Sequence, residues 1–137
     1  MLNSEQWLPT EVFRDACRAL PLVSVDLFVT RQSDAGLQVL LGYRNNAPAR
    51  GFLFTPGGRI RKNEKFPDAM ARIAHEELGM DAGYLSRTVT LGVWDHFYTD
   101  SAYDAEVSTH YVNLPYRLDL SADEAEALQP PASSTEP

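Results

Sequence analysis

The chain is expected to fold as an α+β domain (α/β in the broad sense), a mixed β-sheet sandwiched between helices. Three observations carry that expectation. Alternating, strand-like segments outnumber helical ones; one helix, beginning near Phe66, is embedded between strands; and no repeat or composition break divides the 137 residues. Strands interrupted by a helix place helices on the faces of a mixed sheet.

Each element has a local reason. Thr10 is expected to cap a first helix, with Val12, Phe13, Ala16, Cys17 and Leu20 at helical spacing and Pro21 ending it, so that residues 1–20 form an N-terminal helical segment. Leu22–Thr30 alternates, with Val23, Val25, Leu27 and Val29 on one face and Leu22, Ser24, Asp26 and Phe28 on the other, which predicts a strand. QSDAG is turn chemistry, and Leu37–Arg44 is expected as the return strand of a hairpin. The loop NNAPARG leads to a short strand in FLFTP and the Gly57-Gly58 turn. From Phe66 the period becomes helical. Pro67 suits a first turn, Phe66, Met70, Ile73, Ala74 and Leu78 recur on neighbouring positions, and Gly79 is the stop. Two β-rich segments follow, Thr88–Tyr98 and Val107–Leu118, divided by TDSAYDAE. Ser121 with Glu124 makes a capping box for a short last helix. The tail 129–137, QPPASSTEP, lacks core-forming residues and is expected to be mobile.

Composition narrows the function. A hydrophobic content of 44% with 23% charged residues is that of a globular chain, and the length suits one domain, 1–137. The net charge of −7 argues against a nucleic-acid partner or an anionic membrane surface, yet leaves room for a small phosphorylated ligand at a local basic cluster. Cys17, the one cysteine, has no partner for an internal disulfide and suits a reducing compartment. No apolar run approaches the ~20 residues of a membrane span. The N-terminus lacks the basic-then-apolar pattern of a secretory signal, so a cytoplasmic protein is expected.

The chemistry concentrates in GGRIRKNEKFPDAMARIAHEELGM, Gly57–Met80. At about 100° per residue, positions 73, 76 and 77 share one side of a helix. Glu76 and Glu77 then point into a common region, and Arg72 lies one turn before Glu76. Adjacent carboxylates repel unless a cation sits between them, and Mg²⁺ bridging to a phosphate would use them well. A solvated helix end with an ordinary Arg–Glu pair would carry the same residues.

The spacing decides between these. Gly58, five residues, Glu64, seven residues, Arg72, then Glu76, Glu77, Gly79 and Met80 keep the register of the Nudix hydrolase signature, which the chain resembles. The departure is Ile73, where Nudix pyrophosphohydrolases carry a glutamate directly after the arginine. A three-carboxylate patch loses one corner to a hydrocarbon, so fewer ions are expected, one in the simplest case. A degenerate box in a non-catalytic protein would show the same change. A second resemblance spans Pro21 to about Leu118: PLVSVDLFV, LLGYRNNAPARGFLFTPGGRI, LGVWDHFYTD and STHYVNL are similar to the GDP-mannose mannosyl hydrolases, Nudix-fold enzymes that also lack that glutamate.

That resemblance implies Mg²⁺-dependent hydrolysis of GDP-mannose or GDP-glucose at the sugar C–O bond with inversion, Mn²⁺ being an alternative ion, and a homodimer. It implies a metal held by the Gly57 carbonyl and Glu77, while Glu76 goes beyond the subfamily pattern. Arg44, Arg59 and Tyr111 would bind the leaving diphosphate, where cations and donors take up developing charge. An exposed strand-end arginine, a turn arginine and a core-edge tyrosine are the ordinary alternatives. Asp26, an acid in an apolar strand, needs a partner or a task, such as pairing with arginine or stabilising positive sugar charge. Arg72 would orient the glutamates. His96 would bind phosphate or fill a strand–loop junction; His75 is expected in solvent. His110 and Tyr111, adjacent on a strand, should face opposite ways, with Tyr111 toward the site. The subfamily's general base, a histidine on a later loop beside a glutamine metal ligand, has no counterpart before Pro137, so a shortened C-terminal segment is expected. Two further functions stay open: a pyrophosphohydrolase attacking phosphorus, and a non-catalytic nucleotide-sugar-binding module.

Overall fold

The computed structural model describes residues 8–44, 53–128 and 133–134. Its centre is a parallel pair of long strands, β1 (Leu22–Ser33) and β8 (Thr109–Leu120), in register from Leu22 opposite Tyr111 to Arg31 opposite Leu120. On β1 lie antiparallel β2 (Gly36–Val39) and, at its other end, β5 (Gly57–Arg59). On β8 lie antiparallel β6 (Val89–Thr90) and β7 (Trp94–Tyr98), which completes a six-stranded mixed sheet. A smaller sheet joins β3 (Gly42–Arg44) to β4 (Leu53–Phe54) and β9 (Ser133–Ser134).

Strand alternation assigns the two faces. Val25, Leu27, Val29, Leu118 and Leu120 bury against Met70, Ile73, Ala74 and Leu78 of α2 (Phe66–Leu78), forming the main core. The helix starts where Pro67 presets the first turn and stops at Gly79, whose left-handed φ of 63° lets its N–H reach back to the last carbonyls. On the other side, α1 (Thr10–Ala19) buries Phe13 and Cys17 against Val107 and Leu22. After a 3₁₀ turn (Ala82–Arg87) and the paired strands comes α3 (Ala122–Glu126), opened by the expected Ser121–Glu124 capping box. No helix among the described residues is long and apolar enough to cross a membrane.

The structure corrects several boundaries. The N-cap of α1 is Pro9, not Thr10: Phe13 N–H donates to the Pro9 carbonyl at 2.9 Å, so the described helix begins at Thr10 rather than spanning 1–20. The return strand 37–44 is two strands in different sheets, because Gly42 packs its bare Cα under the Phe54 ring and the chain leaves β1 there. Segment 88–98 is likewise two strands. Pro115 has no N–H to offer the ladder between them, and Gly92, at φ 110°, turns the chain past the gap. Two tail residues, Ser133 and Ser134, pair with β3; the rest of the tail lies outside the described residues.

Candidate active site

The signature loop and α2 are joined by one charged clamp. Arg72 donates from Nε to Glu64 Oε2 at 2.7 Å and from Nη2 to Glu64 Oε1 at 3.0 Å. Nη2 also reaches the Arg59 carbonyl at 2.8 Å, and Glu64 Oε1 accepts the Arg61 N–H at 3.0 Å. Burial opposes the charge on Glu64, whose side chain is 6% exposed, but the bonds from Arg72 and Arg61 outweigh it and hold the carboxyl below its usual range. Burial likewise opposes the guanidinium, and Glu64 with Glu76 more than restores it. Arg72 therefore ties the loop to the helix, and its principal partner is Glu64 rather than Glu76. Glu76 receives only Nη1, at 3.3 Å, and its side chain is largely in solvent.

The β1–β5 ladder explains what the glycines do. Leu27 N–H bonds Pro56 O at 2.7 Å and Ile60 N–H bonds Val23 O at 2.8 Å. Antiparallel alternation then turns the carbonyls of Gly57 and Arg59 away from β1, off the open edge of β5. Arg72 takes the Arg59 carbonyl; the Gly57 carbonyl faces the same side, toward the cleft edge. A Cβ at Gly57 would overlap the Val25 carbonyl and Asp26 Oδ1, so only glycine admits the Asp26 carboxylate there. A Cβ at Gly58 would meet Ile73 Cγ1 at 3.3 Å on the opposite face.

A cleft opens along this edge, lined by Gly57, Gly58, Arg59, Arg61, Ile73, Glu76 and Glu77 on one side and by Phe13 and Tyr103 on the other. Ile73, 1% exposed, is at once cleft floor and core residue. No three His, Cys, Asp or Glu side chains converge on a metal position among the described residues. The donors that fit a hard ion are the Glu77 carboxylate and the outward Gly57 carbonyl, with Glu76 beside them. That mixed oxygen set suits Mg²⁺, which keeps waters and takes substrate phosphate for the remainder.

The face of the sheet that looks toward α1 carries a polar belt. Register places Arg59 opposite Ser24, Gly57 opposite Asp26, Ser24 opposite Asn113, and Tyr111 opposite His96. Asp26 is half-buried. Burial pushes its carboxyl up, against the charge of His96 and hydrogen bonds from Asn113 and Thr55. Arg59 sits 5.5 Å from the Phe13 ring centre, and its charge reaches the Cys17 thiol, which burial raises. His110 is on the opposite face from Tyr111, as strand parity requires, 2.9 Å from Asp95 and stacked on Phe97. His75 is exposed.

Arg59, Asp26, Tyr111 and His96 thus share one sheet face with Gly57, and Arg72, Glu76 and Glu77 flank its edge. Arg44 ends β3, in the smaller sheet, and its side chain lies outside the described residues. The sequence reading missed four contributors. Glu64 was in the motif, but its contact with Arg72 crosses the loop before α2 rather than one helical turn; Thr55 and Asn113 carry no motif at all. Arg61, a charged residue only 5% exposed that lines the cleft, sits beside Arg59 in a run that reads as an exposed basic turn.

A mixed sheet with helices packed on its faces is an architecture shared by solved structures. The NUDIX domain of Shewanella oneidensis NrtR, complexed with ADP ribose, aligns with a TM-score of 0.57 at 23% identity over 90% of this chain and 70% of that one. A MutT NUDIX hydrolase from Burkholderia pseudomallei aligns with a TM-score of 0.55 at 30% identity, over 73% and 67% of the two chains. The NUDIX domain family model matches residues 20–136, and the chain belongs to the Nudix family. The low-salt glycan biosynthesis protein Agl8 of Haloferax volcanii is 40% identical over 119 residues, 87% of this chain and 72% of the relative.

Proposed function

We propose that this Nudix protein hydrolyses a nucleotide sugar, GDP-mannose or GDP-glucose, at the sugar C–O bond with Mg²⁺ at the Glu77–Gly57 corner. The observation that carries the reading is Ile73: the signature glutamate is replaced by a hydrocarbon that forms the cleft floor while packing into the core. One carboxylate fewer favours a single ion that neutralises a leaving diphosphate over an ion cluster that activates water at phosphorus. When bound, the ion would supply charge neutralisation to that diphosphate.

The chain's own groups divide the remaining work. Arg59 at the cleft lip, with Arg44 and the Tyr111 hydroxyl, would hold phosphate oxygens as C–O cleavage transfers charge to them. Asp26 would face the sugar, where a fixed carboxylate stabilises the developing positive charge. His96 sits on the same sheet face, opposite Tyr111. The 40% identity to a glycan biosynthesis protein favours a sugar-bearing substrate.

The test is hydrolysis in ¹⁸O water with product analysis by mass spectrometry. Label in the released sugar is the expected result. Label in phosphate would instead support the second reading, pyrophosphohydrolysis, which the pair Glu76 and Glu77 at one cleft favours. Tight binding of the nucleotide sugar without any turnover would assign the protein to binding rather than catalysis.

A further inference from the structure

The cleft has two unlike walls. Its charged edge, with Arg59, Glu76 and Glu77, suits a diphosphate and its ion but offers no flat apolar surface. The opposite wall is aromatic, and its two rings differ. Phe13 is 2% exposed, with the Arg59 guanidinium carbon 5.5 Å from its ring centre. Tyr103 is 49% exposed. It meets Phe13 in a T-shaped contact, ring centres 5.7 Å apart and planes at 83°. Such a contact covers at most one face of Tyr103, so the other stays open to a planar group. We infer that Tyr103 is the ring on which the ligand's nucleobase stacks at the cleft mouth; this rests on the nucleotide-sugar reading above. The sugar is assigned there to Asp26 on the sheet, which leaves the base for the opposite wall.

The loop that carries Tyr103 is built to hold it still. Asp104 is its hub. The Asp104 carbonyl accepts from the Ser101 N–H and Oγ, each at 3.0 Å, and its Oδ1 accepts the Glu106 N–H at 2.8 Å. Ser101 is buried, and Thr109 Oγ1 donates to the Asp100 carbonyl at 2.7 Å. Asp104 Oδ2 lies 3.9 Å from Arg14 Nε, which links the loop to α1. Ala102 packs into the cluster of Phe13, Cys17 and Val107 and leaves Tyr103, beside it, to the cleft. A half-exposed ring on so fixed a turn adds little to the core. As a stacking surface it has only two side-chain torsions to order, so binding costs little entropy.

The experiment measures calorimetric binding of GDP, GDP-mannose and inorganic pyrophosphate, each with MgCl₂, to the full chain and to Tyr103→Leu and Tyr103→Phe. Leucine keeps apolar bulk but has no flat face. Tyr103→Leu is expected to weaken GDP and GDP-mannose alike by about 5- to 150-fold while pyrophosphate binding stays within about twofold. Tyr103→Phe retains the ring and should bind GDP within about threefold of wild type. If Tyr103→Leu does not fold, Tyr103→Met is read the same way. A wild-type protein that binds GDP no more tightly than pyrophosphate would overturn the inference. So would a loss confined to GDP-mannose, which places the sugar on the ring, or an equal loss for pyrophosphate, which makes the residue structural. Label in phosphate in the ¹⁸O experiment would defeat the proposed reaction instead, and the comparison of GDP with pyrophosphate would still decide the stacking role.

Discussion

The two central strands build two unlike surfaces from alternate residues. Toward α2, Val25, Leu27, Val29, Leu118 and Leu120 make a face with no polar side chain in its interior. Toward α1, the same strands present Ser24, Asp26, Tyr111 and Asn113, with Asn113 bonded to Ser24 and the set bordered by Arg59 and His96. The first face holds the sheet to its helix; the second holds polar groups that an apolar sheet interior would not accommodate. Neighbouring residues one bond apart in sequence should therefore respond to mutation in opposite ways.

Positions 26 and 27 break or sustain that contrast most clearly. Leu27 is fully buried, and Leu27→Ala should cost about 3–4 kcal/mol in urea unfolding through lost burial and the cavity left behind. Asp26→Asn should leave stability unchanged or raise it at neutral pH. Its carboxyl is pushed up in the folded state, so the ionised form opposes folding above the folded pKa; that opposition fades as pH falls from the raised folded value toward the ordinary 3.8 and is absent below it. Turnover by Asp26→Asn should fall about 100-fold. An Asp26→Asn protein that unfolds as readily as Leu27→Ala would erase the distinction between the faces.

Ile73 tests where the core ends and the cleft begins. Restoring the signature residue with Ile73→Glu places a carboxylate against Gly58 and among Val25 and Leu78, and should destabilise by about 3 kcal/mol. An unchanged unfolding midpoint would mean that the new carboxylate swings out to Glu77 and solvent, and that the floor of the cleft is softer than its packing indicates.

Legibility in the sequence followed the range of the interaction. The capping box at Ser121, the Pro67 start and the Gly79 stop of α2 are local, and the structure has all three. The fixed spacing from Gly58 to Gly79 located the cleft edge, because a turn and the helix after it keep their offsets. The breaks at Gly42 and Pro115 were harder, since each depends on a strand from elsewhere in the chain: the Phe54 ring for one, the β6 and β7 edges for the other. Arg72 looked paired with Glu76 at one helical turn, yet the structure joins it chiefly to Glu64, eight residues back and across a loop. Asn113 was invisible for the same reason. Its partner Ser24 is distant in sequence and opposite it only in the parallel ladder.

The Glu64–Arg72 clamp is the seam between the two surfaces, and its pH dependence should set it apart from either. Glu64→Gln keeps an acceptor for the Arg61 N–H but removes the charge that the mostly buried guanidinium needs, so a loss of about 2 kcal/mol at neutral pH is expected. The folded carboxyl is held below its ordinary value of 4.5, so the wild-type contribution is fully present above that pH. It drains away as pH falls from there through the lowered folded value, because the unfolded chain takes up the proton first. Wild type and Glu64→Gln should therefore converge in urea midpoint on acidification below 4.5, while the gap between wild type and Leu27→Ala stays constant over the same range. Parallel curves for wild type and Glu64→Gln would show that the clamp holds through geometry alone, with Arg72 satisfied by Glu76 and the Arg59 carbonyl.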